Sequence, residues 1–200
     1  MKIYELNNDI NKFKWFGRIH SNDTKYDYEF DILFEMRGQS IIKNWKPIEI
    51  NAIVESKEDA LLLIGDYPKF DEPLISEDAL DILLPFMKKY IELLDIKILG
   101  EKLKCNYYLL NVLNILDCLD LNKSMIDWAS DSSGITNVKE YTFKEDQLKN
   151  SFIFRIKGYE KNIYVNEEFK NLVDKNNLQG FVFKDTSDKY ENPFAKLLKK

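Results

Sequence analysis

The chain has 200 residues, of which 44% are hydrophobic and 14% aromatic, with only 7 glycines and 5 prolines. This composition supports a sizeable core and excludes a disordered or low-complexity chain. The formal net charge of −5 argues against a general nucleic-acid binder, which would need a basic face.

Membrane and secretion signals are missing from the sequence. No apolar run reaches the roughly 18 residues of a membrane span, and the N-terminus has no apolar core followed by a small-residue cleavage site. Cys105 and Cys118 are too few for a disulfide framework. We therefore expect a cytoplasmic protein with reduced thiols, in which Cys118 is a small core residue.

Short strands are predicted for the first part of the chain. Weak alternation makes Met1–Leu6 a strand, and apolar side chains at every second position predict an extended segment over 26–37. The turn Trp45-Lys46-Pro47 leads into a strand over 48–54, where apolar and polar residues alternate. This alternation indicates a strand that is buried on one face only.

The clearest helix begins at Ser76. Ser76 is a good N-cap, and Glu77 and Asp78 follow it where the positive end of the helix dipole favours acidic side chains. An apolar stripe continues to Met87. Pro85 lies inside this helix and predicts a kink, because proline removes one backbone hydrogen bond.

The longest dense apolar run, Tyr107–Ser124, contains Asn111 and Asn114. The segment 92–99 alternates as a strand, and 105–113 returns after a charged turn, so the two predict a hairpin. Beyond this hairpin, extended chain and helix both fit the spacing. Because an amide in an apolar run is costly without hydrogen bonds, we expect Asn111 or Asn114 to be bonded within the fold.

The last third of the chain is predicted as short elements. Polar composition predicts a loop over 122–134, and Tyr141 and Phe143 indicate a short strand. Two short strands, a helix capped by Asn166 and a last strand follow, over 153–156, 163–165, 166–175 and 180–184. Strands dominate without an alternating βαβ series. The predicted fold is therefore α+β, with a few helices packed against a mostly antiparallel sheet in a single domain.

Catalytic and metal-binding patterns are weak. His20 is the only histidine and has no patterned carboxylate or cysteine nearby, so we expect it at the surface. The best enzyme-like pattern is Asp95-Ile96-Lys97 with Asp66 or Asp81 upstream, which resembles the carboxylates and lysine of magnesium-dependent nucleases. Alternation on a half-exposed strand explains the same residues. The sequence thus predicts no cofactor and no metal, with a magnesium-dependent nuclease as a remote alternative.

Two segments resemble a known protein family. The run YYLLNVLNILDCLDLNKS, at 107–124, is similar to the signature of a bacterial immunity-protein family from polymorphic toxin systems, a myxobacterial-type domain formerly of unknown function. The run IYVNEEFKNLVDKNNLQGFVF, at 163–183, is similar to that family's final strand, helix and G-x-x-F strand. Trp45-Lys46-Pro47 also matches in type and place. The resemblance covers the chain from about Trp45 to Phe183.

The resemblance implies a non-enzymatic antidote. Such a protein binds a cognate secreted toxin domain, usually encoded by an adjacent gene, and blocks its active site or substrate access. It implies one immunity-protein-like domain over residues 1–200, with a weakly matched part at 1–44 and a loose tail at 185–200. No direct nucleic-acid contact and no membrane span are expected, and the oligomeric state is left open. A structural or scaffolding protein-interaction module is the alternative.

Acidic residues are concentrated between Glu49 and Asp81, where ten face only two lysines. If the toxin is a basic nuclease, carboxylates there can mimic phosphates and fill a cationic cleft. The candidate partner-binding residues are Glu55, Glu58, Asp59, Asp66, Asp71 and Glu72. Trp128 is a second candidate, as an exposed aromatic anchor. The simpler interpretations are a solvated set of loops and a tryptophan that covers a sheet edge.

Overall fold

Alternating apolar residues build most of this protein as β-structure. The computed structural model describes residues 1–18, 36–130 and 134–188, whose strands form two five-stranded sheets and a two-stranded ribbon. In chain order the strands are β1 (Ile3–Asn8), β2 (Phe16–Arg18), β3 (Ile48–Ala52), β4 (Leu74–Ser76), β5 (Ile91–Leu99), β6 (Tyr107–Val112), β7 (Ile115–Leu116), β8 (Met125–Trp128), β9 (Ile135–Glu140), β10 (Ile153–Ile156), β11 (Tyr159–Asn166) and β12 (Phe181–Asp185). The helices are α1 (Lys57–Leu61), α2 (Glu77–Met87) and α3 (Glu167–Lys175), and a 3-10 turn covers Glu145–Leu148.

The first sheet joins the two ends of the described chain. Its strand order is β12-β1-β11-β10-β7, and its pairs are antiparallel except for β10 with β7. β1 lies between β11 and β12, with Leu6 opposite both Ile163 and Phe183. The predicted first strand, the strand over 153–156 and the last strand are therefore confirmed, and the strand predicted over 163–165 is longer, because β11 already begins at Tyr159.

The second sheet has the order β2-β3-β5-β6-β4. β5 and β6 form the predicted antiparallel hairpin, with Leu94 opposite Leu109, whereas β3 and β5 run parallel. Beyond β6 the chain stays extended, and the carbonyl of Asn114 accepts a hydrogen bond from the backbone N–H of Arg155 at 2.8 Å. This step carries the chain from the second sheet into the first. The predicted α+β fold with mostly antiparallel pairing is confirmed.

Two capped helices pack against side chains from both sheets. Ser76 Oγ accepts a hydrogen bond from the backbone of Ala79 at 3.0 Å, and Asn166 Oδ1 accepts one from Phe169 at 2.9 Å, so both predicted N-caps are confirmed. Pro85 lies in the last turn of α2. One apolar cluster contains buried side chains from α2, α3 and both sheets, among them Leu83, Phe169, Leu110 and Val165. Within the described residues, no helix is both long and apolar enough to cross a membrane.

Asn111 and Asn114 are both hydrogen-bonded within the fold, as predicted. Asn111 is fully buried, and its Nδ2 donates to the carbonyl of Gln39 at 2.7 Å and to Glu92 Oε2 at 3.2 Å. Asn114 Nδ2 donates to the carbonyl of Ile153 at 3.0 Å. Each amide therefore ties the apolar run to a neighbouring segment that is distant in sequence.

The prediction of a loop throughout 122–134 is wrong. Met125–Trp128 forms β8, which pairs with β9 as an antiparallel ribbon. Ile126 lies opposite Val138, and both pack with the cluster that contains Phe154. Polar residues around β8 hide this pairing in the sequence, because only one face of the ribbon contacts the core.

Several predicted segments lie wholly or partly outside the described residues. His20 and most of the extended segment at 26–37 lie outside them, and its last residues, Met36 and Arg37, lie in a turn. The tail predicted from 185 begins with ordered contacts, since Thr186 Oγ1 donates to the carbonyl of Ile3 at 2.8 Å. From residue 189 onward, the tail lies outside the described part of the chain.

The strand predicted around Tyr141 and Phe143 is displaced. β9 ends at Glu140, and Phe143 makes an isolated antiparallel bridge with Leu119. Tyr141 instead stacks on Phe143 and bonds the buried hydroxyl of Tyr164 at 3.1 Å. Tyr141, Phe143 and Tyr164 therefore belong to the apolar cluster that also contains Ile126 and Val138 of the ribbon.

Candidate partner-binding surfaces

Burial removes Glu72 from the predicted acidic surface. Glu72 is 6% exposed, and its Oε2 lies 2.8 Å from Nη2 of Arg155, which is 0% exposed. Arg155 also donates to the backbone carbonyls of Val112 and Glu160. Arg37 Nε lies 3.7 Å from the other Glu72 oxygen. Glu72 therefore belongs to an internal ion pair and does not present its carboxylate to a partner.

Asp66 and Asp71 hold neighbouring segments together. Asp66 accepts hydrogen bonds from Ser76 Oγ at 2.8 Å and from the backbone N–H of Gln179 at 2.7 Å. It thereby connects the start of α2 with the turn that precedes β12. Asp71 remains about half exposed but pairs with Arg18 on β2. Local partners occupy both carboxylates, so neither is a free acidic contact.

The remaining three acidic candidates lie on an excursion of the chain over residues 53–64. Backbone bonds attach both of its ends to the segment that precedes β2. Ile53 N–H donates to the carbonyl of Trp15 at 3.0 Å, and Lys14 N–H donates to the carbonyl of Leu63 at 2.9 Å. The excursion is therefore a loop with fixed ends, and α1 forms its outer part.

A capping box gives α1 a defined start. Ser56 Oγ accepts from the backbone of Asp59 at 3.1 Å, and Asp59 Oδ2 accepts from the backbone of Ser56 at 2.9 Å. Asp59 is thus a structural residue. Glu55 and Glu58, by contrast, are exposed. They are the two acidic candidates that the structure leaves open to a partner.

Three large apolar side chains accompany these two glutamates at the surface. Leu61 is 83% exposed, Leu63 64% and Val54 50%. We call Val54, Glu55, Glu58, Leu61 and Leu63 the Leu61 surface. Sequence reasoning missed its apolar part, since a run of three leucines and an isoleucine is typical of a core. The Ser56-x-x-Asp59 spacing was the available signal for a short helix at this place.

Trp128 lies on β8, near the far end of the ribbon. It is 49% exposed and opposite Ile135, while Met125 on the same strand is also 49% exposed. Lys139 Nζ lies 2.6 Å from Asp127 Oδ1, and this hydrogen bond holds the pKa of Asp127 below its usual range.

The ribbon packs with the first sheet, whereas the Leu61 surface lies beside the second. Trp128 and the two exposed glutamates, Glu55 and Glu58, therefore belong to separate parts of the fold.

Asp66 and Asp95, two acids of the nuclease-like pattern, do not come together in the fold. Asp95 lies opposite Tyr108 on β6, whereas Tyr107, which points to the other face, donates to the backbone carbonyl beside Asp66. Asp66 and Asp95 are therefore on opposite sides of the second sheet. Lys97 Nζ lies 3.3 Å from a glutamate oxygen on β3. In the described ranges, no group of three or more histidine, cysteine, aspartate or glutamate side chains is placed to hold a metal ion.

Comparison with known proteins points to a family for the second half of the chain. A search of curated proteins finds no relative that matches this chain. Residues 94–188, just under half of the chain, match the model of the immunity protein family Imm11. This segment begins within β5 and contains β6 to β12 together with α3. Over residues 94–188 the chain therefore matches an immunity protein family, as the resemblance of 107–124 and 163–183 predicted.

Proposed function

We propose that this protein is a bacterial immunity protein that binds and neutralises the cognate toxin domain of a polymorphic toxin system. The observation that carries the proposal is the match of residues 94–188 to the Imm11 family. The protein acts by binding rather than by catalysis, and it covers the toxin's active site or the path of its substrate. It acts in the cytoplasm, where the toxin would reach its target.

The fold supports this proposal by presenting exposed side chains on a preorganised scaffold. Leu61 and Trp128 are large apolar residues at the surface. Trp128 lies on a strand that is paired with β9, and Leu61 lies on a loop whose two ends are held by backbone hydrogen bonds. Residues of this kind supply much of the free energy of protein–protein binding when they enter a pocket of the partner. A preorganised surface loses little conformational entropy on association, so more of the contact free energy remains as affinity.

We also propose that residues 1–200 form one immunity-protein-like domain. The position of β1 between β11 and β12 supports it, because strands from both ends of the described chain share one sheet. The core provides a second support, since β1 and α3 both contribute side chains to one apolar cluster although more than half of the described chain separates them.

Co-expression with the toxin domain tests the proposal. The C-terminal domain of a large secreted protein encoded beside this gene is induced in a sensitive strain, with and without the full-length chain. We expect growth only when the chain is present, and a stable complex of the two purified proteins. A toxin domain from an unrelated system is the control and should still kill. If the complex forms but the toxin stays active, the protein is an interaction module and the immunity proposal is wrong.

A further inference from the structure

α1 has a defined geometry although none of its five residues is buried. A capping box starts the helix, and backbone hydrogen bonds hold both ends of the excursion 53–64 against the segment before β2. A helix this short is unstable alone, so these contacts maintain it. Leu61, its last residue, is 83% exposed. The fold therefore presents a large apolar side chain to solvent at a fixed position.

The turn between β5 and β6 lies beside the second end of this excursion. Leu63, which is 64% exposed, lines a cavity of about 210 Å³ together with Lys102 and Lys104. Lys14 connects the two segments, because its N–H donates to the carbonyl of Leu63 at 2.9 Å and its Nζ lies 2.7 Å from Glu101 Oε1. Among the described residues, none from α1 lines this cavity. Leu63 thus connects α1, outside the cavity, with the two lysines that line it.

The two ends of this surface carry equal and opposite charges. The excursion 53–64 contains three acidic residues and one lysine, which gives −2. Around the cavity Lys102 and Lys104 give +2, because Lys14 and Glu101 neutralise each other in their ion pair. One end is therefore acidic and the other is basic, with the exposed leucines at the connection.

Four of these charged side chains are open to another molecule. Glu55, Glu58, Lys102 and Lys104 are all exposed, and within the described part of the chain no ion pair or side-chain hydrogen bond engages them. A partner can therefore pair with them without breaking any contact of the fold.

A second copy of the chain supplies the complementary charges. In a twofold interface, residue i of one copy meets residue j of the other, and j meets i. With the axis beside Leu61 and Leu63, the −2 end of each copy faces the +2 end of the other. Two sets of attractive contacts then flank the leucines, which pack against their counterparts. The chain thus contains both halves of one interface.

We infer that two copies of this chain form a dimer through the Leu61 surface, about a twofold axis beside Leu61, with Glu55 and Glu58 of each copy facing Lys102 and Lys104 of the other. The inference goes beyond the proposed function and does not depend on it, because only this chain is involved. The excursion 53–64 lies outside residues 94–188, so the family match does not assign this contact.

Sedimentation equilibrium of the purified full-length chain tests the dimer. The apparent mass should rise from one chain to two as the concentration increases toward millimolar. Leu61→Asp should raise the Kd of the dimer by at least about 30-fold, the effect of losing an anchor residue at an interface. A wild type that keeps the mass of one chain throughout would overturn the inference.

Leu121→Asp is the matched control for Leu61→Asp. Leu121 is 51% exposed but lies in the turn before β8, so this variant should dimerise like the wild type. Because α1 buries no residue, Leu61→Asp should unfold at the wild-type urea midpoint when both proteins are diluted to monomers. A dimer that Leu121→Asp disrupts and Leu61→Asp does not would place the contact on another face.

Charge reversal tests the orientation of the two copies. The variant Glu55→Lys, Glu58→Lys has two basic ends, and the variant Lys102→Glu, Lys104→Glu has two acidic ends. Each alone should stay monomeric where the wild type is dimeric, because like charges then face each other. A mixture of the two variants should form a heterodimer, since every basic end meets an acidic one.

The mixing experiment also separates this inference from the proposed function. If each charge variant dimerises like the wild type, or if their mixture stays monomeric, the assigned contact is wrong. These measurements contain no toxin, so that result leaves the proposed function intact. A chain that dimerises as expected but does not neutralise the toxin domain would overturn only the proposed function.

Discussion

Arg155 and Glu72 form a buried ion pair between the two sheets. Arg155 lies on β10 of the first sheet, and Glu72 immediately precedes the segment that enters β4 of the second. Their side chains are 0% and 7% exposed, and Arg155 Nη2 lies 2.8 Å from Glu72 Oε2. Arg155 Nε also donates to the carbonyl of Val112 at the end of β6, so one side chain contacts both sheets.

Breaking this ion pair should destabilise the protein strongly. Replacing either partner alone, as in Glu72→Leu or Arg155→Met, leaves the other charge buried and should cost about 3–5 kcal/mol in the free energy of unfolding. The double variant removes both charges and should cost less than either single change. Urea unfolding of the four proteins measures the coupling.

An exposed ion pair provides the control for that experiment. Lys97 and Glu49 are 62% and 38% exposed, with Lys97 Nζ 3.3 Å from a Glu49 oxygen. Because water screens this pair, Glu49→Gln should change the free energy of unfolding by less than about 1 kcal/mol. Equal losses for Glu72→Leu and Glu49→Gln would contradict the structural role assigned to Arg155.

Replacing Asn111 should also cost stability. Asn111→Ala removes the donor to Gln39 and Glu92 and leaves their oxygens without that partner, so we expect a loss of about 1–3 kcal/mol in the free energy of unfolding. Asn122→Ala is the control, because Asn122 is exposed in a turn and should stay within about 0.5 kcal/mol of the wild type. A neutral Asn111→Ala would show that the buried amide is not needed to anchor the turn at Gln39.

Gly38 and Gly100 should respond differently to the same substitution. Both have positive φ, at 84° and 74°, so alanine is strained at each position by roughly 1–2 kcal/mol. A Cβ on Gly38 would also overlap the side chain of Ile115, whereas none of the described atoms lies within 4 Å of a Cβ on Gly100. Gly38→Ala should therefore cost about 1–3 kcal/mol more than Gly100→Ala in chemical denaturation.

A second substitution separates the overlap at Gly38 from backbone strain. Ile115→Ala removes the atoms that the new methyl group would meet, so the change from glycine to alanine at position 38 should cost less in that background. If the cost is the same with and without Ile115, the backbone alone explains it.

Alkaline pH should unfold the protein through its buried tyrosines. Burial raises the pKa of the Tyr67 and Tyr164 hydroxyls well above the usual range. A pKa raised in the folded state means that stability is fully present below the unfolded pKa, about 10, and is lost as pH rises above it. The loss occurs because the unfolded phenols release protons that the folded ones keep.

Tyr164→Phe tests the contribution of one of these groups. Above about pH 10, each buried phenol should lower the free energy of unfolding by about 1.4 kcal/mol per pH unit. Urea unfolding at a series of alkaline pH values should therefore give a shallower decline for Tyr164→Phe than for the wild type. Identical slopes would mean that Tyr164 ionises in the folded state.

Local chemistry made much of the fold predictable. The capping residues Ser76 and Asn166, the alternation of β5 and its hairpin with β6 depend on a few neighbouring residues, so sequence patterns report them directly. Cys118 was expected as a core thiol, and it is fully buried with its pKa raised by burial to about 12. The strand β8 was missed because its pairing with β9 depends on a core contact rather than on its own composition.

The candidate site was much less predictable. Its acidic residues were chosen from composition, but composition does not distinguish a carboxylate that faces solvent from one that bonds inside the fold. Glu72 is enclosed by Arg155, which is distant in sequence, and Asp66 holds the backbone of Gln179. The exposed leucines lay in a run that resembles a core strand. Exposure is decided by contacts between distant segments, which a single sequence does not display.

The sequence by itself determined the class of fold, most of the strand and helix positions and the family resemblance of 107–124, because these depend on local periodicity and motif. Only the tertiary structure decided which charges are internal and which apolar side chains remain outside. Glu72 and Glu58 are chemically equal in the sequence, yet one is 6% exposed beside a buried arginine and the other is open to solvent on α1. The physical reason is that burial depends on packing between segments that are distant in sequence. This packing determines both the free-energy cost of a charged side chain and which side chains stay exposed for a partner.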